Sequence, residues 1–319
     1  MKQPKILVVG SLVMDLIVTA QRFPDAGETV IGTGFATAPG GKGANQAVQA
    51  ARLGAAVTML GKVGDDDFGA RLLRSAQESG VDTSPVMVSA TQPTAVGNVQ
   101  IQMNEEGTEN RIVVVPGANM DITAEDVAVL AGRVADFDMV ILQNEIPMEI
   151  NVAVARMAKA KGVPVLLNPA PSAALPDALL ECLTYIAPNE HEAQDLVGFA
   201  VEDEDDAARA AAVLQQRGVD RVLITLGKRG CLYADGGEVL RSGSVDCGAV
   251  IDPTAAGDSF IGAFCTAMAG GAAVKDALVF ANCTAGITVT RMGAQTSLPT
   301  ADEVAALMKE KGFDHERVG

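Results

Sequence analysis

The segment Asp252-Pro-Thr-Ala-Ala-Gly-Asp-Ser-Phe260 places a run of small residues directly before an acid and an apolar helical pattern. A helix that begins here would direct its free backbone N–H groups and the positive end of its dipole toward an anion. It would also hold the carboxylate of Asp258 at the same place, and an anion cradle beside a base is what phosphoryl transfer to a hydroxyl needs. The alternative is that Asp258 only caps the helix. This segment alone supports both interpretations.

Around this segment, short β-branched runs alternate with alanine-rich helical segments. The predicted strands are Ile6–Val9, Val57–Leu60, Met139–Leu142, Val163–Leu167, Tyr185–Ala187 and Arg221–Thr225. The predicted helices are Ala44–Leu53, Phe68–Gln77, Ala124–Val134, Ile150–Lys161, Asp205–Gln216, Ser259–Met268 and Val274–Val289. Apolar strands separated by helices are typical of a parallel sheet covered on both faces, so the pattern predicts an α/β fold of three layers.

Two segments, residues 15–39 and 91–115, contain extended stretches without helices between them. We expect them to form a small antiparallel sheet that projects from the main body and closes over a ligand as a lid. The alternative is a pair of edge hairpins with no moving part. The acidic run Glu202–Asp206 is interpreted as a solvated helix start rather than a metal site.

The composition narrows the class of protein. The chain has 319 residues, 48% of them hydrophobic, and a net charge of −16; such a charge repels nucleic acid and anionic membranes, so neither is an expected partner. No apolar run reaches membrane-spanning length, and the first ten residues resemble a strand more than a signal peptide. Five scattered cysteines without a CxxC pair indicate a reduced, cytoplasmic protein. Only two histidines occur, which leaves little room for a zinc site or a Ser-His-Asp triad.

A second segment whose residues could bind a ligand is Gly40-Gly-Lys-Gly-Ala-Asn-Gln-Ala47. Glycines at a strand-to-helix junction permit close approach of the backbone to a ligand, while Lys42 and Asn45 add a cation and an amide. The spacing is neither that of a Walker A loop nor GxGxxG, which disfavours a Rossmann dehydrogenase. Alone, a glycine-rich turn of this kind is more often structural.

Together, these two segments resemble the two signatures of the ribokinase (PfkB) family of sugar and nucleoside kinases. The resemblance covers nearly the whole chain through Gly10-Ser11 followed by Asp15, Gln143-Asn-Glu-Ile-Pro147, Asn168-Pro-Ala-Pro171, Pro188-Asn-Glu-His-Glu192, Thr225-Leu-Gly227 and Thr290-Arg-Met-Gly-Ala-Gln295. It implies one ribokinase-like domain over residues 1–319, a Rossmann-like three-layer sandwich with a mostly parallel central sheet and a small β-sheet lid.

The resemblance also implies roles for single residues. Asp258 would be the general base, and the backbone N–H groups of Ala255, Ala256 and Gly257 would form an anion hole for the developing charge. The sugar would be bound by Val13, Asp15, Gly41, Lys42, Gly43, Asn45, Glu145 and Asp258. Acids and amides suit a polyol because each buried hydroxyl needs a partner. Taken as isolated residues, Asp15 and Glu145 could instead be loop acids at strand ends.

For the nucleotide, the matching positions are Asn189, Thr225, Leu226, Gly227, Lys228, Gly230, Gly257 and Asn282. Asn189 and Glu192 match the family's Asn-x-x-Glu pattern, which implies Mg²⁺ organised largely through water. The alternative for this pair is a helix N-terminus with acids in its first turn. Potassium is implied beside the anion hole, at Asp252, Thr254, Thr288, Arg291, Gly293 and Ser297.

Two positions depart from the pattern. Val13 stands where ribokinases carry an asparagine, and deoxyribokinases, which resemble ribokinases, carry an apolar residue there. If Val13 faces the 2-hydroxyl of ribose, burying that hydroxyl without a partner costs about 1–3 kcal/mol, whereas a 2-deoxy sugar avoids the cost. The alternative is that Asp15 alone satisfies the hydroxyl. Pro253 stands where the family usually has threonine; we expect it to be tolerated, because its missing N–H is not among those expected to bind phosphate.

The resulting prediction is an ATP-dependent kinase that converts D-ribose to D-ribose 5-phosphate and ADP. The alternatives are a 2-deoxyribose kinase or another sugar or nucleoside kinase of the family, and, in a different class, a non-catalytic sugar or nucleotide sensor. A nucleoside kinase is disfavoured because aromatic residues make up only 3% of the chain. Because solitary lid strands would leave apolar faces and unpaired edges, a homodimer formed through them is expected.

Overall fold

Strands that are apolar on both faces form the central sheet of the protein. The computed structural model describes residues 3–104 and 107–314. Its strands are β1 Lys5–Val9, β2 Val13–Ala20, β3 Gly34–Gly40, β4 Ala56–Leu60, β5 Lys62–Gly64, β6 Met87–Ser89, β7 Ala95–Asn104, β8 Gly107–Val115, β9 Met139–Gln143, β10 Val165–Asn168, β11 Tyr185–Ile186, β12 Arg221–Thr225, β13 Cys231–Asp235 and β14 Glu238–Ser242. Its helices are α1 Lys42–Arg52, α2 Asp67–Glu78, α3 Ala124–Ala128, α4 Met148–Ala160, α5 Asp177–Leu180, α6 Glu190–Val197, α7 Glu204–Gln216, α8 Ala256–Ala269, α9 Val274–Thr288 and α10 Ala301–Glu310.

The central sheet has the order β14-β13-β12-β11-β10-β9-β1-β4. The strands from β12 to β4 pair in parallel, and the hairpin β13–β14 adds two antiparallel strands at one edge. Alternate residues enter opposite cores: Ile6 and Val8 belong to the cluster beneath α1, α8 and α9, whereas Leu7 and Val9 belong to the cluster beneath α4 and α7. The expected three-layer α/β sandwich is confirmed.

The order of the strands locates the site. From β1 the chain continues to β4 on one side, whereas β9 to β12 extend the sheet on the other. Ligands of open α/β sheets bind at the carboxyl edge where the order reverses. Residues with polar side chains stand at or just after the carboxyl ends of these strands: Ser11, Gln143, Asn168, Asn189 and Thr225.

The lid is a separate four-stranded sheet in the order β3-β2-β7-β8. It draws on both segments in which it was expected, but the prediction of an antiparallel sheet was wrong for the central pair, because β2 and β7 run parallel. After β2 and β3 the chain leaves the lid and passes through the main body by way of α1, β4 and α2. It re-enters the lid as β7, which runs in the same direction as β2. The outer pairs, β2–β3 and β7–β8, are antiparallel.

All six predicted strands and most predicted helices are present, with ends displaced by a few residues. The helix predicted over Ala124–Val134 was wrong beyond Ala128, where the chain continues as 3-10 turns at Val129–Gly132 and Val134–Asp136. Val127 and Leu130 are buried at a spacing of three residues, which a 3-10 turn also satisfies. Glu202–Asp206 does begin a helix, α7, capped by Asp203. Across residues 3–104 and 107–314, no helix has the length and apolarity needed to cross a membrane.

Candidate active site

The first turn of α8 holds Asp258 at the carboxyl edge of the central sheet. The capping position belongs to Ala255, so the interpretation of Asp258 as the N-cap does not hold. Only 7% of Asp258 is exposed, and its two carboxylate oxygens accept hydrogen bonds from Asn45 Nδ2 and Gln46 Nε2, each at 2.9 Å. The glycine-rich segment and the Ala-Gly-Asp segment are therefore in direct contact across 212 and 213 residues of sequence.

The predicted anion hole is a turn with an unusual backbone. Ala255 has φ of 60°, a left-handed conformation that is uncommon for a residue with a Cβ. Ala256 N donates to Pro253 O at 3.2 Å, which closes the turn and engages one of the three predicted N–H groups. The first N–H groups of a helix lack partners within the helix, and Gly257 lies in this first turn.

A cavity of about 200 Å³ lies at this turn. Its walls include Lys42, Glu192, Ala255, Gly257 and Asp258. Burial lowers the pKa of Lys42, but the nearby carboxylates of Asp258, Glu145 and Glu192 outweigh it and raise the pKa above its ordinary value. A charged ammonium thus lies beside the base and the helix N-terminus, where an anionic phosphoryl group gains most from it.

Asp15 and Glu145 come together on the lid side of the site. The pKa of Asp15 is raised to about 6, mainly by burial and to a smaller extent by the negative charge of Glu145. Glu145 accepts hydrogen bonds from Lys42 N at 2.9 Å and from the hydroxyl of Ser11. The alternative, two unrelated loop acids, is therefore disfavoured. Val13, on the same strand as Asp15, is buried with 5% of its surface exposed.

Gly41 and Gly43 hold the start of α1 against the turn after β1. Gly41 has φ of 90°, and a Cβ there would stand 2.8 Å from Val13 N. A Cβ on Gly43 would stand 2.5 Å from Ser11 N. These glycines bring the backbone of Lys42 to Glu145, so their contribution is close packing of the two chain segments.

A larger cavity of about 680 Å³ adjoins the same turn, because Thr225, Pro253 and Gly257 line both cavities. Of the positions predicted for the nucleotide, Thr225, Gly227, Lys228, Gly230, Gly257 and Asn282 line the larger cavity. Asn282 Nδ2 donates to Ser242 Oγ at 3.0 Å. Leu226 is instead buried in the core, and Asn189 lines the smaller cavity.

The pair predicted for Mg²⁺ forms a capping box at the start of α6. Glu192 N donates to Asn189 Oδ1 at 2.8 Å, and Asn189 N donates to Glu192 Oε2 at 2.9 Å. This is the local arrangement of the alternative interpretation, yet both residues also line the smaller cavity, and burial raises the pKa of Glu192. Within the described ranges, no cluster of three or more His, Cys, Asp or Glu residues could hold a metal.

Of the residues predicted for K⁺, Thr288 ends α9 and the others lie on two loops that Asp252 joins. Its carboxylate accepts hydrogen bonds from Thr254 N and Gly293 N, each at 2.9 Å, and its own N–H donates to Val289 O. The Arg291 guanidinium pairs with Glu303. The hydroxyls of Thr288 and Ser297 donate to the carbonyls of Thr284 and Ala294. Carboxylate and carbonyl oxygens, the donor set offered here, suit a hard cation.

Several residues of the site carried no recognisable sequence signal. The wall of the larger cavity includes a loop after β14 and one face of α9: Ser244, Val245, Asp246, Cys247, Gly248, Val250, Ala285 and Gly286. The packing of Cys247 against Gly286 depends on glycine, because a Cβ there would stand 2.7 Å from Cys247 Sγ. Gln46 was also missed, although it lies inside a quoted motif, since its contact with Asp258 spans the whole fold.

A buried acid lies at a helix N-terminus in a small cavity that adjoins a larger one, on a doubly covered α/β sheet, and this arrangement is the one expected of a phosphotransferase site. The model of the pfkB family carbohydrate kinases matches residues 3–301, and the chain belongs to this family. It is 42% identical over 303 residues to the ribokinase of Bacillus subtilis, covering 95% of this chain and 99% of that one. It is 37% identical to the ribokinase of Lactococcus lactis over 308 residues, covering 96% and 97% of the two chains.

The fold is similar to that of the Arabidopsis thaliana ribokinase solved in complex with ribose and ATP. The TM-score is 0.89 at 33% sequence identity, and the match covers 97% of this chain and 99% of that chain.

Proposed function

We propose that this chain phosphorylates D-ribose at its 5-hydroxyl with ATP, giving D-ribose 5-phosphate and ADP. The observation that carries the proposal is the position of Asp258, buried at the N-terminus of α8 and hydrogen-bonded to the glycine-rich segment. Relatives named ribokinase that align over nearly the whole chain support the choice of sugar. In this proposal residues 1–319 act as one domain, with the lid covering the sugar.

In the proposed mechanism the sugar lies between the lid and α1, and its hydroxyls pair with Asp15, Glu145 and Asn45. Asp258 takes the proton of the 5-hydroxyl as the oxygen attacks the γ-phosphorus and the bond to the β-phosphate oxygen breaks. The N–H groups of Ala255 and Gly257 and the Lys42 ammonium stabilise the charge that develops on the transferred group, while the N–H of Ala256 holds the turn closed through Pro253 O. ADP leaves from the larger cavity.

Two cations complete the proposal. Asn189 and Glu192 would hold Mg²⁺ through water, and the loops joined by Asp252 would hold K⁺ through carbonyl and carboxylate oxygens. Bound there, the cations would supply positive charge to the nucleotide phosphates and order to the anion-hole turn. Asp252 already orients this turn by accepting from Thr254 N.

A second candidate substrate is 2-deoxy-D-ribose, which the burial of Val13 on the Asp15 strand favours. A buried valine offers no hydrogen bond to a 2-hydroxyl. If Val13 faces that position, kcat/KM for 2-deoxyribose approaches or exceeds that for ribose, and Val13→Asn shifts the ratio toward ribose by roughly 10-fold. A strong preference for ribose that Val13→Asn leaves unchanged would reject this candidate.

The proposed function is tested by sugar-dependent ADP formation with MgATP and K⁺ across a panel of pentoses, 2-deoxyribose and nucleosides. Asp258→Asn should lower kcat by roughly 100-fold or more, because proton transfer and the local charge are lost together. Asp302→Asn, an exposed acid in the first turn of α10, is the matched control and should retain full activity. Binding of sugar without turnover in the wild type would instead indicate the non-catalytic sensor.

We further propose that the protein acts as a cytoplasmic homodimer paired through its lids. The lid exposes apolar side chains, including Ile31, Phe35 and Val113, which are 85%, 70% and 65% exposed. Burial of such surface against a second copy stabilises association, and pairing of the edge strands would satisfy their free backbone groups.

A further inference from the structure

Three buried amide side chains form a hydrogen-bonded chain behind the proposed base. Gln46 Nε2 donates to Asp258 Oδ1 at 2.9 Å and to Asn168 Oδ1 at 3.0 Å. Gln46 Oε1 accepts from Gln143 Nε2 at 2.7 Å. Gln46 and Gln143 have no exposed surface. The chain thus links α1, the ends of β9 and β10, and the first turn of α8.

The direction of this chain is determined by groups that can only accept. Asn168 Nδ2 donates to the carbonyl of Ala187 at 3.0 Å, which leaves Asn168 Oδ1 facing Gln46. The two carboxylate oxygens of Asp258 also act as acceptors, so both protons of Gln46 Nε2 are engaged. The Gln46 oxygen must then face Gln143, whose Nε2 supplies the donor that it needs. Turning the Gln46 amide over would oppose oxygen to oxygen at two contacts, with Asp258 and Asn168, and nitrogen to nitrogen at the third, with Gln143.

We infer that Gln46 and Gln143 are positioning residues for the transfer step, with Gln143 acting through Gln46. The inference rests on the proposed role of Asp258 as base. Asn45 holds Oδ2 and Gln46 holds Oδ1, so the two hydrogen bonds restrain rotation of the carboxylate of Asp258, a residue that lines the smaller cavity. Because the carboxylate of Asp258 is already oriented, proton transfer does not have to bear the entropic cost of orienting it.

The inference is tested by a double-mutant cycle with Gln46→Met and Gln143→Met, which keep the length of the side chain and remove the amide. Gln46→Met should lower kcat by roughly 10- to 100-fold, and Gln143→Met by a smaller factor, with KM for sugar and ATP changed less than about three-fold. Because Gln143 acts through Gln46, the double variant should lose no more than Gln46→Met alone. Multiplicative losses in the double variant would overturn the inference.

Gln49→Met is the matched control. Gln49 lies one turn further along α1, is equally buried, and donates to Pro299 O at 2.9 Å without contacting Asp258. It should lower the melting temperature as Gln143→Met does while leaving kcat within about two-fold of the wild type. If Gln143→Met has no larger effect on kcat than Gln49→Met, its role is structural and the inference fails.

A readout independent of turnover separates this inference from the proposed function. In protein labelled with ¹⁵N-glutamine, the Gln46 side-chain amide signal is identified by its loss in Gln46→Met. It should shift in both Asp258→Asn and Gln143→Met, and not in Gln49→Met. An unshifted signal in Gln143→Met contradicts the chain of contacts. If the wild type has no sugar kinase activity but the Gln46 amide signal shifts as expected, the proposed function is refuted and the contacts between the amides stand.

Discussion

At the scale of single residues, Asp15 is stabilised in its protonated form by its surroundings. Burial and the charge of Glu145 raise its pKa from 3.8 to about 6. An acid whose pKa is higher in the folded state contributes stability below the unfolded value and loses it as the pH rises through the folded value. Ionisation of Asp15 therefore lowers the free energy of unfolding above about pH 6, by up to about 3 kcal/mol.

Replacing Asp15 by asparagine should remove this loss of stability, because asparagine does not ionise. Asp15→Asn should raise the melting temperature at pH 8 and give little or no gain near pH 4, while KM for the sugar increases at least 10-fold because a carboxylate acceptor is lost. Thermal melts across this pH range, with exposed Asp302→Asn as control, measure the effect. A gain of equal size at both pH values would show that ionisation of Asp15 is not its cause.

Residues that stand in a recognisable local motif could be predicted from the sequence to lie in the site. Asp258 and Asp15 stand in segments that resemble family motifs, and the structure places Asp258 at the start of α8 and Asp15 on the lid strand β2. Gln46 differs, because its contact with Asp258 depends on how two helices far apart in sequence are placed. Such a contact depends on tertiary packing, which one sequence does not reveal.

At the scale of elements, the lid strand β2 depends on glycines in both neighbouring strands. A Cβ on Gly97 of β7 would overlap Asp15 Oδ1, and a Cβ on Gly40 of β3 would lie 2.5 Å from Asp15 Oδ2. The Asp15 carboxylate thus occupies space that two absent side chains leave open. The alternation of the lid strands predicted a sheet, but neither the contact of Gly97 with Asp15 nor the parallel pairing of β2 with β7 had a local signature.

Gly97→Ala should therefore displace the Asp15 carboxylate and raise KM for the sugar at least 10-fold, while KM for ATP changes little. Gly132→Ala, at a glycine with open space around its Cβ position, is the control and should be silent. Steady-state kinetics with each substrate varied in turn distinguish the two constants. Equal increases in both KM values would mean that the lid as a whole, rather than Asp15, is disturbed.

The loop Asp252–Gly257 is the element on which a monovalent cation would act. Activity should be several-fold higher in K⁺ than in Na⁺ or a bulky organic cation, because a cation of suitable size orders the anion-hole turn. Asp252→Asn should reduce this dependence, since it weakens the contact with Gly293 N at 2.9 Å. Equal rates in all three salts at constant ionic strength would contradict the proposed potassium site.

At the scale of the whole molecule, the apolar lid predicts the oligomeric state. Val113→Lys places a charge in the exposed apolar end of β8, residues 112–115, and should shift the protein from dimer to monomer in sedimentation velocity at micromolar concentration. Val129→Lys, at a valine 54% exposed on the main body, is the matched control and should leave the dimer intact. A wild type that sediments as a monomer would reject the proposed assembly.

The residues proposed to bind the two substrates lie in different stretches of the chain. Apart from Asp258, every residue proposed to bind the sugar precedes residue 146, whereas the walls of the larger cavity run from Thr225 to Val289. Recombination between relatives in the intervening region would exchange the acceptor pocket while the donor pocket is inherited intact. The layout of the fold thus lets specificity for the phosphoryl acceptor diversify independently of nucleotide binding, with Asp258 as the residue that every such hybrid must retain.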